Sequence, residues 1–307
     1  MPDSDDNRTT IRDFLISRRA KISPEQAGLP AGSRRRVPGL RREEVAVLAG
    51  VSTEWYTRLE KGHISGISED VLDAVARALH LDDEERTYLF DLAHAARPKA
   101  RRNPRRAEAK VEPHLQWLID SITMSAAFLR NGRLDVVASN ALARALHEPM
   151  FSSDTTTANG RANFARYHFL DPASQDFFVD WESGAAATVA LLRAEAGRHP
   201  EDRLLRELVG ELCTLSTEFR TMWAAHDIRI RHEGVKRLQH PVVGALELTY
   251  QPLALPTPSR AVHELSVYTA EPGTIHEERL KILATWSATA VAEAAQRSSR
   301  QPSGPPP

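Results

Sequence analysis

The chain is poor in the residues on which several kinds of chemistry depend. It holds a single cysteine, Cys213, in 307 residues. No disulfide can close within one chain and no multi-cysteine metal site can form, which points to a reducing compartment. Cys213 itself falls in an apolar helical run and is expected to be a small core residue. No apolar stretch approaches the roughly 20 residues needed to span a bilayer. The polar, acidic start MPDSDDNRTT is not that of a signal peptide. The phosphate-loop pattern GxxxxGK[ST] is missing, as are GxGxxG, HExxH and GxSxG. His226-Asp227 and His232-Glu233 are adjacent pairs that point apart on a helix and make no catalytic dyad. The expectation is therefore a protein that is not an enzyme, with no metal and no cofactor.

What the sequence does contain is a strong asymmetry of charge. The whole chain carries a formal net charge of −1, yet between Asn7 and Gly62 twelve basic residues face six acidic ones, a local balance of +6. Such a patch within a near-neutral chain is the footprint of a phosphate backbone. At its centre lies Leu40 to Gly62, LRREEVAVLAGVSTEWYTRLEKG, which reads as two short helices about a turn. Val45, Ala46 and Leu48 form the apolar stripe of the first helix, Gly50 makes the turn, and Ser52 caps the second helix. Tyr56 and Leu59 face inward. Thr53, Glu54, Thr57 and Arg58 are then left outside, near the helix start, where side chains reach base edges in a major groove. Arg36, Arg41, Arg42, Ser52 and Lys61 are the candidate phosphate contacts. For Arg41 and Arg42 the competing reading is pairing with Glu43, Glu44 or Glu60.

Length and composition favour two domains. A first helix is expected over Ile11 to Ile22. Later helices are capped by Ser68 and opened by Asp82-Asp83-Glu84-Glu85, completing a five-helix unit over residues 9–96 after an unstructured 1–8. The run RPKARRNPRR has six basic residues and two prolines and reads as a linker within 97–110. The second domain, 111–296, mixes strands and helices. Ala126 to Arg130 and Leu134 to Ser139 are strands joined at Asn131-Gly132, and Asn140 opens a helix. A helical middle runs from Asp176 to about His226. Three strands follow, near Lys236 to His240, Ala245 to Leu253 and Glu264 to Ala270, before a last amphipathic helix carrying Trp286. Residues 297–307 lack the apolar surface to fold.

The order of these features resembles one family. The basic insertion SRRRVPGLRREEVA, the ending YTRLEKG and the following SEDVLDAVARALHLDDEERTYLFDLA look like the Xre-type, lambda-repressor-like helix-turn-helix domain of MmyB-like transcription regulators. FLDPASQDFFVDWE, LVGELCTLSTEFRTMWAAHDIRIR, KRLQHPVVGALELTYQPL and SVYTAEPG resemble that family's ligand-binding domain. The resemblance implies an all-α helix-turn-helix domain followed by an α+β, PAS-like domain with an antiparallel sheet. It also implies an elongated hydrophobic ligand similar to a fatty acid.

Phe128, Phe164, Phe169, Phe178, Trp181, Leu192, Met222 and Trp223 supply apolar surface for a pocket, although aromatic residues at helical spacing also build plain core. Asn163, Arg166, His226 and Arg229 are the polar groups suited to an acid head. The expected partners are a double-stranded operator with an inverted repeat, a second copy of the chain and the ligand, with no membrane, in the bacterial cytoplasm at the nucleoid. The rival expectation is a constitutive DNA-binding protein whose C-terminal domain only oligomerises or docks another protein.

Overall fold

The structure is a computed structural model that describes residues 3–30, 37, 39–64, 67–96, 111–157, 160–225, 234–255 and 263–300. Nineteen elements are described, in the order α1 (Asp3–Lys21), α2 (Arg42–Leu48), α3 (Thr53–Glu60), α4 (Glu69–Ala78), α5 (Asp83–Ala95), α6 (Pro113–Ser121), β1 (Ala126–Arg130), β2 (Val136–Ser139), α7 (Ala141–Leu146), α8 (Glu148–Phe151), α9 (Phe164–Leu170), α10 (Ala173–Phe177), α11 (Trp181–Arg198), α12 (Arg203–Leu215), α13 (Thr217–Ala224), β3 (Gly234–His240), β4 (Gly244–Leu255), β5 (His263–Thr269) and α14 (Ile275–Arg300). The described parts of Met1–Arg105 and Val189–Ile230 make one compact unit, and those of Arg106–Thr188 and Arg231–Pro307 make the other. None of the described helices is long and apolar enough to cross a membrane.

In the first unit, α1 to α5 close around Phe14, Leu40, Val45, Tyr56, Leu59, Leu72, Val75 and Leu89, all buried. Helix α1 begins at Asp3, inside the segment expected to be unstructured. Asp82 starts α5 through a capping box with Glu85. Ser68 occupies the cap position of α4, but its hydroxyl makes no cap hydrogen bond.

The described residues of Val189–Ile230 pack within this unit. Arg193 is buried, with its guanidinium 4.3 Å from the centre of the Trp223 ring, and donates to the Trp223 carbonyl. Gly197 packs so closely on Tyr88 that a β-carbon there would lie 2.6 Å from the ring. Amphipathic helices such as α12 announce that one face is buried but not against what.

In the second unit five antiparallel strands run in the order β2-β1-β5-β4-β3. The β1–β2 hairpin turns through Asn131, whose side-chain oxygen accepts from the backbone N–H groups of Arg133 and Asp135, both at 3.0 Å. Leu134 holds φ +65° in this turn, so the second strand starts at Val136 rather than Leu134. One sheet face packs Phe128, Leu238, Leu246, Leu248 and Tyr268 against Leu142, Leu146, Met150, Tyr167, Phe177, Leu280 and Leu283. The alternation at Leu246 and Leu248 is the period-2 pattern of a strand with one buried face. The final helix α14 continues to Arg300, four residues into the segment expected to be an unfolded tail.

Candidate nucleic-acid interface and ligand core

The helix-turn-helix is held from below by one acid. Glu60, the last residue of α3, is 1% exposed and takes a bidentate grip from Arg19 of α1, at 2.9 Å from Nε and 3.0 Å from an η-nitrogen. Arg42, the first residue of α2, reaches the same carboxylate with Nε at 3.0 Å. A third Arg19 nitrogen donates to the Leu40 carbonyl at 2.8 Å. Burial alone would lower the Arg19 pKa, but its hydrogen bonds and charge pairing with Glu60 outweigh that and raise it. Burial beside Glu60 also pushes the Tyr56 phenol far up, so it stays neutral. Three helices are thus locked by one fork of charge-assisted bonds.

The turn is Ala49-Gly50-Val51, with Gly50 at φ +65°, the left-handed region that glycine enters without a steric penalty. Ser52 accepts from the Trp55 N–H at 3.1 Å and so starts α3. Tyr56 and Leu59 are fully buried. Thr53, Glu54 and Arg58 are exposed and Thr57 is half-buried, so the outer face of α3 carries the four residues expected to read bases. The stripe expected on α2 is narrower than its sequence pattern: Val45 and Ala46 are buried, but Leu48 is 38% exposed.

Of the expected phosphate contacts, Ser52 and Lys61 lie exposed at the two ends of α3. Arg41 pairs with Glu43 at 3.4 Å and Arg42 with Glu60, which is the pairing alternative realised. Both side chains remain partly exposed, at 43% and 47%. Arg36 lies outside the described residues.

The residues expected to line a single pocket are divided between the two units. Phe128 and Phe164 stand 4.9 Å apart, centre to centre, within the core of the second unit. Phe169, Phe178 and Trp181 gather about His168, whose ring stacks on Phe178 and on Trp181 at 4.9 Å each. The His168 Nε2 lies 2.9 Å from the Trp181 carbonyl, while the Trp181 indole donates to the His168 carbonyl at 3.1 Å. Leu192, Met222 and Trp223 belong to the first unit, with Trp223 stacked on Phe219. Asn163 caps α9, accepting from the Arg166 N–H at 2.9 Å. Its amide is spent on the Arg133 carbonyl and Asp135, leaving nothing for a ligand acid. Arg166 is half-buried on α9. His226 and Arg229 fall outside the described residues.

Sequence reasoning passed over His147. This residue follows α7, is fully buried, and is ringed by Phe128, Phe164, Phe177 and Tyr268 with centres 5.5 to 5.8 Å from its own. Burial drives its pKa down to about 3, against the opposing hydrogen bond to the Ala143 backbone. One signal was available in the sequence: a histidine closing the apolar helix ALARAL, where a solvated residue would be ordinary. A groove of about 400 Å³ lies on the second unit, between Phe178, Asp180 and Gly184 on one side and Lys236, Arg237 and Glu247 on the other. Its charged lining suits water better than an apolar guest.

Residues 18–89 match a helix-turn-helix domain and residues 111–283 match the MmyB-like transcription regulator ligand binding domain, the latter spanning more than half of the chain. Among curated proteins none matches the chain. With a DNA-reading motif at one end and this domain over most of the rest, the chain belongs to the family of MmyB-like transcription regulators and is a DNA-binding transcription regulator.

Proposed function

We propose that the protein is a ligand-responsive, sequence-specific regulator. It binds an inverted-repeat operator as a homodimer in the bacterial cytoplasm, and its C-terminal domain senses a small hydrophobic molecule of fatty-acid-like shape. The DNA side of this reading rests on α3, whose exposed Thr53, Glu54 and Arg58 project from a helix that Ser52 caps and Glu60 anchors. Thr57 borders that face. The dimer follows from geometry, since one recognition helix reads only a few base pairs and two related by a two-fold axis read half-sites about one helical turn apart.

The ligand side is carried by one observation. Against the sheet, Phe128, Phe164, Phe177 and Tyr268 surround the fully buried imidazole of His147. A polar ring inside an apolar core costs free energy and calls for a reason. Occupation would favour one conformation of the protein over another and shift operator affinity by the differential binding energy. The test is native mass spectrometry of the full chain purified from its host, with solvent extraction of the same material. A bound lipid-like mass supports the sensor, and a clean apo mass that no added amphiphile changes contradicts it.

A second reading has its own observation. Ile282 and Trp286 on α14 remain exposed, an apolar face of the kind that seats another protein. A constitutive DNA-binding protein with a docking domain predicts the clean apo mass and operator affinity indifferent to amphiphiles.

A further inference from the structure

The sheet of the second unit is closed on one face and half open on the other. Along β4, Leu246 and Leu248 are buried in the core, while Glu247, Thr249, Gln251 and Leu253 alternate with that side and are exposed. On the outer face helix α6 rests on β1 and β2, with Ile119 among Ala127, Leu129, Ala138 and Leu265. Beside it the face continues through Val235, Thr249, Gln251, Leu253 and Thr269, all exposed, with Thr249 directly opposite both Val235 and Thr269. None of these five is charged, in a chain of which 26% is. Arg237 and Glu247 stand opposite each other at the end of the strip, and Arg237 is held there by Asp180.

Helix α6 is apolar on its far side as well. Trp117 lies about 160° around the helix axis from the inward Ile119, and it is 70% exposed. Leu118 beside it and Met124 just past the helix end are exposed too. An antiparallel sheet can carry one solvated face, but such a face is ordinarily rich in charge; charge depletion around aliphatic and aromatic residues is the mark of an interface. Two strands span about 10 Å and a helix is about 10 Å across, so the open strip over β3 and β4 has room for one more helix. Each copy therefore carries both halves of a match, an outward apolar helix and an uncovered strip beside it, and a two-fold axis satisfies both at once. We propose that the second unit dimerises through this face, with α6 of each copy seated on the β3 and β4 strip of the other and Trp117 lying over Leu253. The proposal rests on the homodimer reading above and assigns its surface. Trp117 alone offers about 150 Å². With Leu118, Ser121, Met124 and the five strip residues at roughly 80 Å² each, the patch reaches about the 800 Å² per partner of a stable interface.

The test is sedimentation of the full chain over a range of concentrations, which yields the dimer dissociation constant. Trp117→Glu on α6, Val235→Lys on β3 and Leu253→Lys on β4 each place a charge twice in the symmetric interface, and each is expected to weaken the dimer at least about tenfold. Trp286→Glu puts the same charge on the exposed face of α14 and is expected to leave the constant within about twofold. All four residues are exposed, so circular dichroism and melting are expected to match the natural protein. Variants on three separate elements keep the result readable where one of them fails to fold. A dimer of undiminished affinity in the folded α6 and strand variants, or dissociation by Trp286→Glu in their place, overturns this surface and leaves the homodimer reading intact. A natural protein that sediments as a monomer even at about 50 μM overturns both.

Discussion

Arg19 on the first helix and Glu60 at the end of the recognition helix are joined by two hydrogen bonds of 2.9 and 3.0 Å, with the carboxylate almost wholly removed from water. Forty-one residues separate the two in the chain. The consequence is that the orientation of α3 is set by a residue that reads no base. Arg42 completes the arrangement from α2 at 2.9 Å. The motif YTRLEKG therefore serves two ends at once, with Arg58 facing out and Glu60 facing in.

Removing that acid leaves the mostly buried Arg19 guanidinium without its carboxylate, while Arg42 can turn to solvent. Glu60→Ala is expected to destabilise the N-terminal unit by about 3 kcal/mol, the order seen when one member of a buried pair is deleted. Urea unfolding followed by circular dichroism measures it. A change under about 0.5 kcal/mol would show the fork to be a surface pair of little weight.

Base reading and backbone binding separate by mutation. Arg58→Ala is expected to lose roughly 1 to 3 kcal/mol on the preferred duplex and to relax preference at one base position. Lys61→Ala should weaken all duplexes alike and reduce the salt slope by about one. Lys61 is the cleaner phosphate probe, because truncating Arg42 also disturbs Glu60. Titrations at several salt concentrations distinguish these outcomes.

Two helical glycines should respond to alanine in opposite directions. Gly210 on α12 has open space where a β-carbon would go, so Gly210→Ala is expected to stabilise by up to about 1 kcal/mol through helix propensity. At Gly197 the new carbon would lie 2.6 Å from the Tyr88 ring. There the same change is expected to cost about 1 to 3 kcal/mol despite the gain in propensity. Thermal melts of the two variants check the packing of residues 189–224 against α5.

His168 gives the second unit an acid sensitivity. Burial lowers its pKa to about 4 from the ordinary 6.5, against the opposing hydrogen bond to the Trp181 carbonyl. Between those values the unfolded chain binds the proton and the folded one does not. Stability from this ring is thus complete above 6.5 and lost as pH falls towards 4. The natural protein should lose unfolding free energy across that window faster than His168→Phe, which keeps the stack on Phe178 and Trp181. Parallel slopes would contradict the assignment.

Much of this architecture is legible in the residues themselves. Asn131-Gly132 marks the first hairpin, the alternation at Leu246 and Leu248 marks β4, and Asn140 marks the start of α7, each because a local rule of turn, pleat or cap decides the outcome. The outward face of α3 follows from the helical spacing of Tyr56 and Leu59. Other features depend on distant neighbours. Nothing local distinguishes Glu60, buried beneath two arginines, from Glu54 on the surface six residues earlier. The aromatic residues of the second half share a composition but not a location, so Trp223 packs in one unit while Phe128 and Phe164 pack in the other. His147 looks like an ordinary helix-end histidine until the strand carrying Tyr268 and the helix carrying Phe177 close over it.

The central claim is that the outer face of α3 reads sequence in duplex DNA. Selection of the full chain against a pool of random duplexes, at about 0.15 M salt so that nonspecific phosphate attraction is screened, tests it most directly. The account predicts enrichment of an inverted repeat with half-sites about one helical turn apart, relaxed at one position by Arg58→Ala. Retention of the pool without enrichment of any sequence, or no retention at all even at low salt, would contradict it.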